Sequence, residues 1–429
     1  MIVPLWNTGV LAMYFLLRWY LKRIIRRGDL EVTAANGIAE KFGDGTGNRV
    51  SVRLAKRSLY WKLAFYPDRF TGEAYMDGTL VVESGTIYDL IDLISSQFEF
   101  DQKSRWNLID RMRNSFRRLG PMNLIDRARK NVSHHYDLSG EIYDLFLDRD
   151  RQYSCAYYEF EDQSLEEAQL AKKRHLAAKL ALAPGMKILD IGSGWGGLAI
   201  YLAEVYDVEV VGVTLSKEQH KVSRQRIKNR GLRNKIDIRL LDYRQLDEKF
   251  DRIVSVGMFE HVGLSHYREF FKKLQELLHD DGVALVHSIG RPLEPSETSS
   301  WIKKYIFPGG YIPALSEVQP AIEETKLYLC DVEILRLHYA KTVRDWRQRF
   351  VANWDKAKHI YDERFCRMWE FYLAGTEVSF RRHILNIFQI QITKHQNTLP
   401  LTRDYMFEEE TKLRQFDKKS SKFKSVSSR

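Results

Sequence analysis

The stretch KILDIGSGWGG, Lys187 to Gly197, constrains this chain more than any other. An apolar strand runs into Asp190, Gly192, Gly194, Trp195 and Gly196 and then directly into a helix. Glycines let the backbone turn tightly and approach a ligand. The helix that follows offers free N–H groups and a positive dipole end to an anionic group. A glycine turn alone also fits a plain strand-to-helix loop, and Trp195 alone fits packing, so the surrounding pattern decides.

That pattern is α/β. Ser164-Leu-Glu-Glu167 reads as a capping box opening a helix to about Leu182, ended by Pro184-Gly185. Strand Lys187 to Ile191, helix Gly197 to Val205, strand Val208 to Val213, helix Lys217 to Arg230 and strand Ile236 to Leu241 follow as βαβ units. Strands at Arg252 to Val256 and Gly282 to Ser288 flank a helix at Tyr267 to Leu278. The expectation is a doubly wound, mostly parallel, Rossmann-like sheet. Val343 to Thr393 is rich in apolar and aromatic residues at helical spacing.

Cofactor choice turns on the end of the second strand. A dinucleotide fold places an acidic residue there for ribose hydroxyls. Here the strand ends VVGVTLSKEQ, with Thr214, Ser216 and Gln219 in that place, which counts against a nicotinamide cofactor. Asp242 and Tyr243 end the third strand, where a carboxylate beside an aromatic suits an adenine. The set DIGSGWGG, VTLSKEQ and LDY points to S-adenosylmethionine.

The flanks are basic. Among 429 residues, 67 basic against 57 acidic side chains give a formal +10, which directs the surface toward phosphates of nucleic acid or anionic lipid. The run GVLAMYFLL, Gly9 to Leu17, is too short to span a bilayer, which takes about 20 residues. It passes into Lys22, Arg23, Arg26 and Arg27, and Val10, Tyr14, Leu17, Leu21 and Ile24 repeat at helical spacing. An interfacial helix and a helix docked on its own domain both fit. Residues 28–100 read as a small α+β domain. Residues 101–130 form a basic linker with Lys103, Arg105, Arg111, Arg113, Arg117, Arg118, Arg127, Arg129 and Lys130. Near an anionic membrane each such side chain contributes about 1 kcal/mol, and a solvated connector fits equally. The domain plan is then an amphipathic basic helix at 1–27, the small domain, the linker, a catalytic domain at 131–395 and a basic, disordered tail at 396–429. Three separated cysteines, Cys155, Cys330 and Cys366, fit a reducing cytoplasm and no metal knuckle.

Residues 131–339 resemble the cyclopropane-fatty-acyl-phospholipid synthase family, a branch of the class I S-adenosylmethionine-dependent methyltransferases. The motifs that carry the likeness run in order: HHYDLSGEIYDLFLD, YSCAYY, LDIGSGWGG, VTLSKEQ, GMFEHVG, LVHSIG, YIFPGGYIP and HYAKT. GEAYMDG, Gly72 to Gly78, is similar to the family's small N-terminal domain with a sterol-carrier-like fold. The resemblance implies transfer of a methylene group to the cis double bond of a phospholipid acyl chain. Such chemistry passes through a carbocation, so it needs a dry, aromatic-lined site and a base. The family implies a bound bicarbonate as that base, held by Cys155, Glu260, His287, Tyr339 and the backbone of Ile289. Tyr153 and Ser154 are implied cofactor contacts. Glu260 also follows a strand end, where open sheets bind ligands, whereas His287, inside an apolar strand, and Tyr339 each have an ordinary core reading.

The implied partners are an anionic phospholipid membrane surface, an unsaturated acyl chain and a second copy of the chain as a homodimer. The implied location is the cytoplasm, peripheral to the inner face of the membrane. Nucleic acid is not expected, since no Asn-Pro-Pro-Tyr or Asp-Pro-Pro-Tyr motif occurs. Some relatives carry a cysteine in the C-terminal helical stretch where FYLAGTEVSF has Thr376, which puts covalent cysteine catalysis in doubt. Related lipid C-methylation with a methyl-branched or methylene product, and small-molecule amine N-methylation, are the alternatives.

Overall fold

The structure is a computed structural model that describes residues 6–98 and 140–426. The basic linker at 101–130 and the first part of HHYDLSGEIYDLFLD lie outside the described residues. The chain forms two compact units.

The first unit combines the described residues up to 98 with Thr298–Pro308 and Val343–Ile384. Its sheet has strands β1 (Asp29–Thr33), β2 (Ala39–Phe42), β3 (Arg49–Leu54) and β4 (Leu80–Ser84) in the order β2-β1-β3-β4. Alternation in β1 and β3 sends Leu30, Val32, Val50, Val52 and Leu54 into one core. The N-terminal helix Trp6–Ile24 packs on that core through Leu17, Tyr14 and Leu21, so docking on its own domain is realised. Tyr14 meets Tyr60 with ring centroids 5.2 Å apart. Phe15 and Trp19, on the other side, stay exposed. The helix Glu363–Arg381 belongs to this unit, where Arg382 grips Asp92 at 2.7 and 2.8 Å.

The second unit holds a seven-stranded sheet. Its strands are β5 (Lys187–Ile191), β6 (Glu209–Thr214), β7 (Ile236–Leu240), β8 (Phe250–Val256), β9 (Leu278–Gly290), β10 (Tyr328–Ile334) and β11 (Asn386–Thr393). The order is β10-β11-β9-β8-β5-β6-β7, parallel from β9 to β7. The expected βαβ elements are present, mostly within a residue or two, with β9 starting four residues earlier at Leu278, and the Ser164–Glu167 capping box opens helix Leu165–Lys179. Apolar residues of β5, β6, β8 and β9 fill the cores on both faces, with the rings of Phe259, Phe270 and Phe271 meeting at tilted and edge-on angles on one side.

Two expectations are corrected. Residues 386–393 are not helical: they form β11, wholly buried and antiparallel to both β9 and β10. Gln389, Gln391 and Thr393 alternate there with Ile390 and Ile392, a period of two that suits a strand. The tail is not disordered through its length either, because Asp404–Val426 is a helix. Met406 and Leu413 are buried, and Asp417 pairs with Arg174 at 2.7 Å.

Candidate active site

The cofactor turn has the shape its glycines require. Gly192, Gly194 and Gly196 sit at φ of +85°, +53° and +79°. A Cβ on Gly196 would fall 2.9 Å from Ser223 Cβ, and one on Gly192 would fall 3.0 Å from Met258 Cβ. Both the backbone conformation and the space therefore select glycine. Asp190, at the end of β5, is buried, and its Oδ2 has no hydrogen-bond partner. Burial pushes its carboxyl up to about 7, against the pull of Lys172. An orphaned buried oxygen beside such a turn fits a ligand that brings its own donor, such as an amino acid ammonium.

The second strand ends in a local network. Thr214 Oγ1 donates to Gln219 Oε1 at 2.9 Å, and Ser216 caps the next helix by accepting the Gln219 N–H. Asp242 accepts from Arg244 Nε and Nη2 at 2.9 and 2.8 Å, while Tyr243 packs edge-on to Phe270. Trp195 is buried, edge-on to Tyr143, with its carbonyl accepting from Arg226 at 2.7 Å.

The second cluster draws on segments nearly two hundred residues apart. The Ala156 N–H donates to Thr342 Oγ1 at 3.0 Å, and the Tyr158 N–H donates to His338 Nδ1 at 2.9 Å. These two bonds bring YSCAYY to HYAKT, and so place Cys155 and Tyr339, both buried, in neighbouring segments. The Cys155 thiol donates to the Ala156 carbonyl at 3.2 Å, and burial pushes its pKa far up. Tyr153 packs edge-on to Tyr143 at 5.5 Å.

Glu260 lies in the short 3-10 turn Phe259–His261 after β8, and His287 and Ile289 lie near the end of β9. Parallel pairing sets Val256 against His287, which puts both chain ends on the carboxyl side of the sheet. Glu260 Oε1 accepts the Ile289 N–H at 2.6 Å, whereas Oε2 is buried without a partner. Burial pushes this carboxyl up to about 7, only partly offset by the Ile289 N–H. The Tyr311 N–H donates to the Glu260 carbonyl at 2.9 Å, which ties the second half of YIFPGGYIP to the same turn. Burial holds His287 well below the ordinary histidine value and His261 down at about 4.

Several residues here escape sequence reasoning. Lys172 is buried and donates to Gln152 Oε1 at 2.6 Å and to Ser154 Oγ at 2.8 Å. Burial lowers it to about 8. It lies within electrostatic reach of Cys155, Asp190 and His287, and so couples the cofactor turn to the second cluster. Gln169 Nε2 donates to the Ser154 carbonyl at 3.0 Å. All of helix Leu165–Lys179 except Glu166, Glu167 and Leu170 is buried, its basic side chains included.

The family model described as mycolic acid cyclopropane synthetase matches residues 124–390. A probable fatty acid methyltransferase of Pseudomonas putida is 43% identical over 288 residues, covering 64% of this chain and 73% of its own. The cyclopropane-fatty-acyl-phospholipid synthase of Escherichia coli (strain K12) is 38% identical over 326 residues, covering 75% and 82%. Among solved structures, mycolic acid cyclopropane synthase CmaA1 complexed with SAH and CTAB aligns with a TM-score of 0.59 at 38% identity, covering 62% of this chain and 97% of that one.

Proposed function

The chain belongs to the mycolic acid cyclopropane synthetase family, and from that membership we propose that it forms cyclopropane fatty acids by adding a methylene group across the cis double bond of an unsaturated acyl chain of a membrane phospholipid. The observation that carries this reading is the 38% identity to a synthase named for that product, over 82% of that enzyme. S-adenosylmethionine supplies the methyl group on its sulfonium.

The chain's own residues would divide the work. Gly192, Gly194 and Gly196 would let the backbone close on the cofactor, and Asp190 would use its orphan oxygen to hold the amino end. Tyr153, Ser154, Thr214, Ser216, Gln219, Asp242 and Tyr243 would line the rest, with Lys172 fixing Ser154. Glu260, Cys155, His287, Tyr339 and the Ile289 backbone would hold a bicarbonate-sized base. Support comes from the sealed Oε2 of Glu260, an acceptor ready for an acid proton, in a site where buried side chains exclude water that would trap a carbocation.

Membrane attachment belongs to the same proposal. Trp19, Phe65 and Tyr66 are exposed on the first unit, and Arg23 lies over Trp19 at 5.6 Å. Aromatic rings among cations suit an anionic lipid surface. No helix among the described residues is long and apolar enough to cross a membrane. We place the protein at the inner face of the cytoplasmic membrane as a homodimer, with its small N-terminal domain engaging lipid.

The test is incubation with S-adenosylmethionine and vesicles of monounsaturated anionic phospholipid, followed by mass spectrometry of the acyl chains. A gain of one methylene that resists hydrogenation supports the proposal. A gain of the same mass in a chain that still takes up hydrogen indicates a methylene or methylated olefin. No gain despite cofactor binding refutes the lipid reading.

A further inference from the structure

We infer that Gln389 is a positioning residue that fixes His287 as the tautomer carrying its proton on Nε2, so that His287 serves the reaction as a hydrogen-bond donor and not as the base. The catalytic meaning rests on the function proposed above; the tautomer rests on geometry alone.

Antiparallel pairing of β11 with β9 sets Gln389 directly opposite His287, and both are 1% exposed. The Gln389 amide lies between two partners. One is Lys179, whose Nζ donates to Gln389 Oε1 at 2.7 Å. A lysine ammonium has donors only, so the amide must turn its oxygen toward Lys179. Its nitrogen then faces His287 Nδ1 at 3.1 Å. An amide NH2 likewise has donors only, so Nδ1 must present its lone pair, and a neutral ring then carries its proton on Nε2.

The orientation is held from further out. Lys179 pairs with Glu333, which also accepts from His175 Nε2 at 2.7 Å. Burial alone would raise Glu333, but His175 and Lys179 outweigh it and keep it ionised. Gln391, two residues along β11, donates to the Lys179 carbonyl at 2.6 Å and anchors the backbone beneath the lysine. The result is a one-way chain of polarity from Glu333 through Lys179 and Gln389 to His287. Lys172, Lys179 and His175 near the ring, together with its burial, disfavour a second proton. A ring whose Nε2 already carries its proton, and whose Nδ1 accepts from Gln389, has no free site for the proton released on ring closure. It can orient an acceptor oxygen, which leaves proton removal to a separate base.

The experiment uses the full chain with 15N-histidine labelling and long-range 1H–15N spectra at neutral pH, with His287→Asn identifying the His287 signals among the 12 histidines. The expected spectrum shows His287 with Nε2 protonated and Nδ1 bare. Gln389→Glu, which keeps the shape but faces Nδ1 with an acceptor, should move the proton to Nδ1. It should also lower kcat by about 10²-fold or more, the scale of one lost preorganised hydrogen-bond donor, with unchanged S-adenosylmethionine Kd. A wild-type ring protonated on Nδ1, or a folded Gln389→Glu protein with the wild-type His287 spectrum and kcat, overturns the inference. The wild-type spectrum decides the tautomer even if Gln389→Glu fails to fold. An Nε2–H ring in a protein that makes no cyclopropane supports the tautomer and refutes the proposed reaction.

Discussion

Glu260 turns one carboxylate oxygen onto the Ile289 N–H at 2.6 Å and keeps the other sealed from solvent without a partner. The first oxygen fixes the side chain; the second is left for chemistry. Glu260→Gln preserves the size but replaces one oxygen with a donor. It should lower kcat by about 10²- to 10⁴-fold, the span of a removed acid–base contributor. Calorimetric titration should give an unchanged S-adenosylmethionine Kd, and a parallel loss of affinity would count against a role confined to the reacting end.

The same carboxyl makes stability depend on pH. Its folded-state pKa of about 7 lies above the ordinary 4.5, so the native protein keeps this proton where the unfolded chain has released it. That contribution is fully present below about 4.5 and is lost as pH rises through about 7. At full extent it is on the order of 3 kcal/mol. Urea denaturation of the ligand-free protein between these limits should show stability falling more steeply with pH in wild type than in Glu260→Gln. Equal slopes would place the proton elsewhere.

The three cysteines should separate by reactivity. Cys330 is exposed, whereas Cys155 and Cys366 are buried with thiols pushed up by burial. A thiolate-directed reagent at pH 8 should label Cys330 alone in the native protein and leave activity intact, with peptide mapping as the readout. Rapid labelling of Cys155 would contradict its placement. Cys155→Ala should cost roughly tenfold in kcat, about one hydrogen bond.

Gly196→Ala combines a left-handed backbone with a Cβ 2.9 Å from Ser223 Cβ. The strain should lower stability by about 1–3 kcal/mol and weaken S-adenosylmethionine binding. Thermal melts and calorimetry on one preparation test both, and an unaltered Kd would remove this turn from the cofactor site.

What the sequence makes legible follows from where the signal is local. The turn at Gly192 to Gly196, the capping box at Ser164 and the periodicity of each strand and helix in the βαβ units are set by near neighbours in the chain, and each is present in the structure. β11 is obscured because NIFQIQIT follows a long aromatic-rich helical stretch and its glutamines suggest exposure. Those glutamines are buried because Lys179 and His287, distant in the chain, satisfy them. The burial of helix Leu165–Lys179 has no local signal either, since the carboxylates that pair its basic side chains are Asp150, Glu159, Glu333, Glu410 and Asp417. The motif matches pick out Cys155, Glu260, His287 and Tyr339 one at a time. They are silent on Lys172 and Gln389, which lie within the electrostatic reach of those residues or hold one of them in place.

The helix Asp404–Val426 limits how the protein can be trimmed. Arg174 and His175 meet Asp417 and Glu410 of that helix, and all four side chains are at most 11% exposed. Cutting the chain before residue 404 would take one of the two carboxylate partners from each of Arg174 and His175, on the helix that also carries Lys172 and Lys179, and would leave their buried surroundings open. Shortening the carboxyl end for crystallisation would therefore reach the reaction centre without removing any residue that touches it. An affinity tag is better carried beyond this helix than substituted for it.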